Sequence, residues 1–138
     1  MLDLSNYDKN NIFAKIIDGR LPCDKIYEDS FFVAFNDIQP KAMVHVLMVP
    51  KHQFVSFQSF IDKASGAYIM SFFQAVKTVT DILRQRNGIE DYRIIINQGS
   101  SAGQEVPHFH VHLLSNDKRA SNTKIDKPSS LLGNEGFM

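Results

Sequence analysis

Three histidines at alternate positions, His108, His110 and His112, are the residues with the clearest potential for chemistry. Successive side chains of a β-strand point to opposite faces, so this spacing places all three imidazoles on one face of a strand. A single histidine in a strand is usually a surface residue or a hydrogen-bonded core residue. Three in strict alternation favour a functional site, because juxtaposed titratable rings are a poor way to stabilise a strand.

Two kinds of chemistry fit this row, metal ligation and nucleophilic catalysis. Neighbouring rings can converge on one Zn²⁺, but the outer pair starts about 13.5 Å apart, which strains a three-ligand site. A phosphate lying along the strand fits better, with His110 as the nucleophile and the flanking rings bonded to phosphate oxygens. The preceding loop, residues 99–103, and the Gln104 amide would add N–H donors for the developing charge.

The elements that must position these residues follow from the hydrophobic pattern. Helical spacing predicts a short helix over 12–17 and a long helix over 62–87, with Asp62 as N-cap and Gly88 as a left-handed C-cap. Together with the strands, these helices predict an α+β domain with a five-stranded antiparallel sheet. The predicted strands cover residues 25–28, 31–35, 43–49, 92–97 and 106–114.

Composition excludes several classes of protein. Of the 138 residues, 43% are hydrophobic and 22% are charged, which predicts one globular domain. Lys plus Arg equals Asp plus Glu at 15 each, so no charge excess marks a nucleic-acid or membrane partner. No apolar stretch has the length of a signal or membrane segment. The single cysteine, Cys23, allows no intrachain disulfide and fits a reducing cytoplasm.

The segment His108-Phe-His-Val-His-Leu-Leu114 resembles the histidine triad (HIT) superfamily, whose signature is His-φ-His-φ-His-φ-φ with φ hydrophobic. Every position matches. The similarity extends over roughly residues 11 to 114 and is to the Hint branch, through segments such as 12–17, 34–40 and 45–51. It implies a HIT-like fold and a homodimer, joined through the long helix and strand 92–97 into a ten-stranded sheet.

The resemblance implies hydrolysis of purine nucleoside 5'-phosphoramidates, such as AMP–amine conjugates, through a covalent nucleotidyl intermediate on His110. His108 and His112 would flank the phosphate, and His45 would join them from a neighbouring strand. Without the resemblance, His45 fits core packing and Asp37 fits a turn equally well, and the apolar residues named next fit plain core packing. The implied nucleotide-binding residues are Asp37 at the ribose hydroxyls, Asn97 and Gln104 near the phosphate and ribose, Glu105 on the leaving-group side, and Ile12, Phe13, Ile16, Leu21, Phe35 and Ile38 around the base.

Several alternatives remain open at the level of sequence. The expected ligand is a purine nucleotide, AMP or GMP, or its phosphoramidate, with no metal and no cofactor. Dinucleoside polyphosphate hydrolysis, a nucleotide-binding interaction module with incidental hydrolysis, and metal-dependent hydrolysis are the rivals. The animal Hint branch has serine at the position of Glu105. The carboxylate of Glu105 favours amine leaving groups. Residues 1–114 are expected to form the HIT domain, and 115–138 a polar extension, partly mobile or packed on the dimer.

Overall fold

The computed structural model describes residues 2–120 as five strands and three helices. The strands pair in one antiparallel sheet, which confirms the predicted α+β fold class. The strands are β1 (Lys25–Glu28), β2 (Phe32–Asn36), β3 (Val44–Pro50), β4 (Arg93–Ile95) and β5 (Val111–Ser115), in the spatial order β1-β2-β3-β5-β4. The helices are α1 (Ile12–Ile17), α2 (Phe57–Lys63) and α3 (Gly66–Asn87), with a 3₁₀ turn over Ser100–Ala102.

The two faces of the sheet carry cores of different size. On the face below α3, Phe60 stacks on Phe109 at a centroid distance of 4.5 Å, and Phe72 lies 5.2 Å from Phe109. The opposite face carries a smaller apolar cluster under α1, where Phe13 meets Phe35 edge-on at 5.8 Å. Most of the apolar burial therefore lies on one side of the sheet, which leaves part of the other side for polar residues.

The predicted long helix is two helices. Ser56 caps α2 and Ser65 caps α3 through its hydroxyl oxygen, which accepts from the Tyr68 N–H at 3.1 Å. Asp62 lies inside α2, so the prediction that it caps the long helix was wrong. Ala64 is extended, and this break lets the Ser65 side chain satisfy a backbone N–H at the start of α3. The left-handed C-cap at Gly88 is confirmed by its φ of +74°.

The last strand starts later than predicted, at Val111 instead of residue 106. Pro107 has no N–H to donate to a strand ladder, and the His108 N–H bonds locally to the Val106 carbonyl oxygen at 2.9 Å. The Phe109 N–H bonds outside the sheet, to the Phe54 carbonyl oxygen at 2.7 Å. His108 and His110 therefore lie on an irregular segment, and only His112 belongs to β5. The strand predicted over residues 92–97 is also shorter in the structure, where only Arg93–Ile95 form β4.

Part of the predicted polar extension packs on the domain. The Asp117 carboxylate accepts from the backbone N–H groups of Glu90 and Asp91 at 2.8 and 2.9 Å. It also pairs with Arg119, whose hydrogen bonds hold the pKa of Asp117 well below its usual range. The remainder of the extension, residues 121–138, lies outside the described residues. Among the helices of residues 2–120, none has the length and apolar content needed to cross a bilayer.

Candidate active site

Four histidines are buried together on the sheet face under α1. His45 comes from β3, His112 from β5, and His108 and His110 from the irregular segment before β5. Their side chains are between 0 and 4% exposed. A neutral imidazole donates from one nitrogen and accepts at the other, so the partner of each nitrogen shows where its proton lies.

His110 is held with a lone pair on Nε2. Its Nδ1 lies 2.6 Å from the carbonyl oxygen of His108, and because a carbonyl only accepts, Nδ1 must be the donor. In the neutral ring the other nitrogen, Nε2, is then unprotonated. The ring of Phe13 packs edge-on against His110 at a centroid distance of 4.9 Å. The arrangement fixes the ring and presents a nitrogen able to attack an electrophile without first losing a proton.

His108 is bonded at both nitrogens and does not itself offer a nucleophile. Its Nε2 donates to the carbonyl oxygen of Pro50 at 2.7 Å, and its Nδ1 lies 2.6 Å from the hydroxyl of Tyr7. Burial lowers the pKa of His108 to about 4, so the ring is neutral at physiological pH. Tyr7 was not predicted from the sequence, because 101 positions separate it from His108 and no local motif marks the contact.

His45 and His112 form a second hydrogen-bonded pair. The Lys41 backbone N–H donates to His45 Nδ1 at 3.0 Å, which leaves the proton of the neutral ring on Nε2. His45 Nε2 then donates to His112 Nδ1 at 3.0 Å. His112 in turn carries its proton on Nε2. Burial lowers the pKa of His45 to about 4 and that of His112 to about 3, so both rings are neutral hydrogen-bonding groups.

Asp37 lies at the edge of this cluster and is 4% exposed. One carboxylate oxygen accepts from the Gln39 N–H at 2.9 Å, and the other is 3.5 Å from His45 Nε2. Burial raises the pKa of Asp37 to about 6, while that of His45 is lowered. An ion pair would shift both pKa values in the opposite directions, so desolvation dominates and the contact is not a salt bridge at neutral pH.

An apolar pocket of about 280 Å³ lies beside the histidines. Phe13 and Asp37 connect it to them, because Phe13 packs on His110 and Asp37 approaches His45. All six residues predicted to surround the base line the pocket. The lining consists of Ile12, Phe13, Ile16, Leu21, Phe35 and Ile38, with Asp37 and with Pro22, Cys23, Asn36 and Leu47, whose position here was not predicted.

A larger groove of about 680 Å³ lies elsewhere, between Lys41, Tyr92, Arg93 and Arg119. None of the four buried histidines lines it, so its size alone gives it no claim to the chemistry. The smaller pocket is the better candidate because it has apolar walls and a carboxylate, and because its wall residue Phe13 packs on His110.

The three other predicted contact residues lie in the loop that leads from β4 to His108. Asn97 is partly exposed and Glu105 is exposed. Gln104 is buried, and its amide donates to the carbonyl oxygens of Val55 and Val106 at 2.9 and 3.0 Å. Both amide hydrogens thus brace the loop, and the predicted contact with phosphate would require one of these bonds to break.

Asp37, His45 and His112 are also the residues best placed to hold a metal ion. One ligand atom from each lies within 4.8 Å of the others. His45 Nε2 and His112 Nδ1 share a proton in the hydrogen bond between them, and a metal would have to displace it.

The burial of neutral histidines makes the protein sensitive to acid. His45, His108 and His112 bind protons with pKa values near 4, 4 and 3 when folded and about 6.5 when unfolded, so stability falls as pH drops from about 6.5 to 4. Asp37 acts oppositely between about pH 6 and 3.8, where its raised pKa makes the folded state bind the extra proton. We expect a net loss of roughly 4 kcal/mol in unfolding free energy between about pH 7 and 5.

Urea unfolding at a series of pH values would measure this loss. Replacement of the exposed histidine, His52→Gln, is the matched control, because it removes one imidazole and keeps the three buried rings. An unfolding midpoint that does not move between about pH 7 and 5 would contradict the assignment of three buried neutral rings.

Comparison with known proteins agrees with this arrangement. Residues 18–119 match the family model of the HIT domain. An uncharacterised HIT-like protein of Rickettsia prowazekii is 40% identical over 114 residues, which are 81% of this chain and 92% of that protein. Among solved structures, a histidine triad protein from Clostridium difficile is similar with a TM-score of 0.70 and 33% identity, over 86% of this chain and 100% of that one.

A HIT family hydrolase from Legionella pneumophila Philadelphia 1 is similar with a TM-score of 0.68 and 32% identity, over 79% of this chain and 95% of that one. The family model covers most of the described residues, including the four buried histidines and Asp37. The buried histidine cluster, the sheet that carries it and these similarities lead to one conclusion: this chain belongs to the HIT domain family.

Proposed function

We propose that this protein hydrolyses purine nucleoside 5'-phosphoramidates, such as AMP–amine conjugates, through a covalent nucleotidyl intermediate on His110. The observation that carries the proposal is the hydrogen bond from His110 Nδ1 to the His108 carbonyl oxygen, which leaves a lone pair on Nε2. The ring of His110 packs on Phe13, which lines a pocket with apolar walls and one carboxylate, a combination suited to a base and its ribose. The Legionella relative, a HIT family hydrolase, supports the same reaction class.

In the proposed reaction the base occupies the apolar pocket and Asp37 accepts hydrogen bonds from the ribose hydroxyls. This places the α-phosphorus next to His110 Nε2, which attacks it in line with the departing amine. The P–N bond to the amine breaks as the P–N bond to His110 forms. Burial keeps His112 neutral, so its Nε2–H stabilises the phosphate by hydrogen bonding, and the amine takes its proton from water.

Water completes the cycle by attacking phosphorus and releasing AMP with His110 restored. The exposed Glu105, in the loop before His108, supports an amine as the leaving group, because a carboxylate attracts an ammonium and repels a polyphosphate. A purine nucleotide is therefore the proposed ligand, and dinucleoside polyphosphates are the poorer proposed substrates.

The nucleophile is tested by intact-protein mass spectrometry after brief mixing with adenosine 5'-phosphoramidate. We expect an AMP adduct and AMP release in the native protein and neither in His110→Ala, with a loss of activity of at least about 10³-fold. His52→Ala is the matched control, since His52 is exposed and outside the buried cluster.

Turnover that persists in His110→Ala would refute the mechanism. Tight AMP binding with no turnover in either protein would instead favour a nucleotide-binding module. A parallel assay with diadenosine polyphosphates compares the two enzymatic readings, and faster cleavage of those substrates would overturn the phosphoramidate assignment.

Asp37 is expected to bind ribose at the expense of stability. Asp37→Asn removes a buried carboxylate whose pKa is raised to about 6, so at pH 7 we expect the unfolding free energy to rise by roughly 1–3 kcal/mol. The same change removes a charged acceptor, and we expect KM to increase about tenfold.

The stability and KM of this variant can be measured by urea unfolding and steady-state kinetics. Asp62→Asn, an equivalent change at an exposed position in α2, should alter neither quantity. An Asp37→Asn protein with an unchanged KM would exclude Asp37 from nucleotide binding.

We also propose that the protein is a homodimer joined through β4 and α3. Within the described residues β4 is one of the two edge strands, paired only with β5. Large apolar side chains are exposed along both elements, among them Ile94 at 42%, Met70 at 63% and Phe73 at 42%. An edge strand with exposed apolar neighbours is suited to pairing with a second copy.

Light scattering should then give a mass near twice 15.7 kDa for the native chain. Ile94→Glu places a charge at the proposed interface and is expected to shift the mass to that of one chain. Ile61→Glu, at an exposed apolar position on α2, is the control and should remain dimeric. A native protein with the mass of one chain would contradict the proposal.

A further inference from the structure

The segment before α1, residues 3–10, forms a strap that is tied to the end of that helix. Arg20 makes the tie, since its guanidinium donates to the Asn10 side chain at 2.8 Å and to the Lys9 carbonyl oxygen at 2.6 Å. Asp18 holds the same guanidinium through Nε at 2.8 Å. The strap thus has a defined path over α1, and this path brings Tyr7 to the buried histidines.

Tyr7 contacts His108 in two ways. Its hydroxyl lies 2.6 Å from His108 Nδ1, and its ring meets the imidazole edge-on at a centroid distance of 5.5 Å. His108 has no exposed surface, and its other nitrogen is bonded to Pro50. Tyr7 is therefore the group that satisfies Nδ1 of this buried ring.

The direction of this hydrogen bond follows from the second partner of His108. The Pro50 carbonyl oxygen can only accept, so Nε2 carries the proton and Nδ1 of the neutral ring is an acceptor. The Tyr7 hydroxyl must then be the donor. Burial raises the pKa of Tyr7, which keeps the hydroxyl protonated at neutral pH. Both nitrogens of His108 are thus fixed in one tautomer.

The orientation of His108 matters because its own carbonyl oxygen holds His110. That oxygen accepts from His110 Nδ1 at 2.6 Å, and this bond leaves the lone pair on Nε2. His108 therefore links the strap to His110: its ring is bonded to the Tyr7 hydroxyl, and its backbone carbonyl is bonded to His110 Nδ1, the ring nitrogen opposite the Nε2 that attacks phosphorus. The ring and this carbonyl belong to the same residue. Movement of the His108 ring would therefore also shift the carbonyl oxygen that sets the tautomer of His110.

We propose that Tyr7 is a positioning residue for nucleotidyl transfer, which locks the His108 ring and through it aligns His110 Nε2. This inference rests on the proposed function, because it assigns Tyr7 a part in that reaction. Residues 18–119 match the HIT domain model, and Tyr7 precedes them. The contact therefore joins a residue outside the matched part of the chain to His108 inside it. Tyr7 does not line the base pocket, so its proposed effect is on alignment.

The test is Tyr7→Phe in the full-length chain, which keeps the aromatic ring and removes only the hydroxyl. We expect kcat for adenosine 5'-phosphoramidate to fall about tenfold with KM changed less than about twofold, because nucleotide contacts are intact while the nucleophile is misaligned. Tyr27→Phe is the matched control. It also removes one tyrosine hydroxyl that makes a 2.6 Å hydrogen bond, to Asp29, away from the histidines.

Nitrogen NMR of the histidine rings in the ligand-free protein supplies a readout independent of activity. In both chains we expect His108 to be protonated on Nε2, because the Pro50 carbonyl remains its partner, whereas the Nδ1 signal should shift in Tyr7→Phe as its hydrogen bond is lost. The signals are assigned by their loss in His108→Gln. If Tyr7→Phe does not fold, Arg20→Met replaces it, since that change releases the strap and leaves the site residues intact.

An unchanged kcat in Tyr7→Phe, or a His108 Nδ1 signal that is identical in the native and variant chains, would overturn the proposal. A native protein that forms no nucleotidyl adduct would instead defeat the proposed function. In that case the NMR comparison still decides whether Tyr7 holds Nδ1 of His108, so the two failures are distinguishable.

Discussion

The hydrogen bond between His110 Nδ1 and the carbonyl oxygen of His108 is the interaction on which the site depends. It sets one proton, and by doing so it decides which nitrogen of His110 can act as a nucleophile. An imidazole free to exchange tautomers would present the reactive lone pair only part of the time. The other contacts of the cluster hold this arrangement in place, from Phe13 on one side to the Tyr7–His108–Pro50 chain on the other.

Four buried imidazoles would be costly for a small domain if their nitrogens were unpaired. The structure limits the cost by keeping the rings neutral and using backbone groups as partners. Pro50, Lys41 and His108 each contribute a carbonyl or an N–H to a ring nitrogen. Neutral rings avoid the larger penalty of buried charge. Because unfolding lets these rings bind protons, we expect the unfolding free energy to fall in acid.

The cluster also depends on how the sheet divides its faces. The phenylalanine-rich core under α3 supplies most of the apolar packing, so the opposite face can carry polar groups and an open pocket. The late start of β5 contributes to this arrangement. Because the ladder between β3 and β5 begins at the Met48–Val111 pair, the carbonyl of His108 is not used by the sheet and can accept from His110.

The sequence by itself determined the fold class and the family signature. Alternation of His108, His110 and His112 with apolar residues was sufficient to predict that the three imidazoles share one face and to propose His110 as the nucleophile, because periodicity and residue type are local properties. The six apolar wall residues and Asp37 were assigned by resemblance, and the structure places all of them at one pocket.

Tertiary structure alone decided the tautomers and the partners that set them. Tyr7 and His108 are 101 positions apart, and the Pro50 carbonyl and the Lys41 N–H carry no side-chain signal that a sequence pattern could contain. The boundaries of α2 and β5 were missed for a related reason. They depend on which backbone groups find partners, as the Ser65 cap and the bond from Phe109 to Phe54 show, and that competition is settled only when the chain is folded.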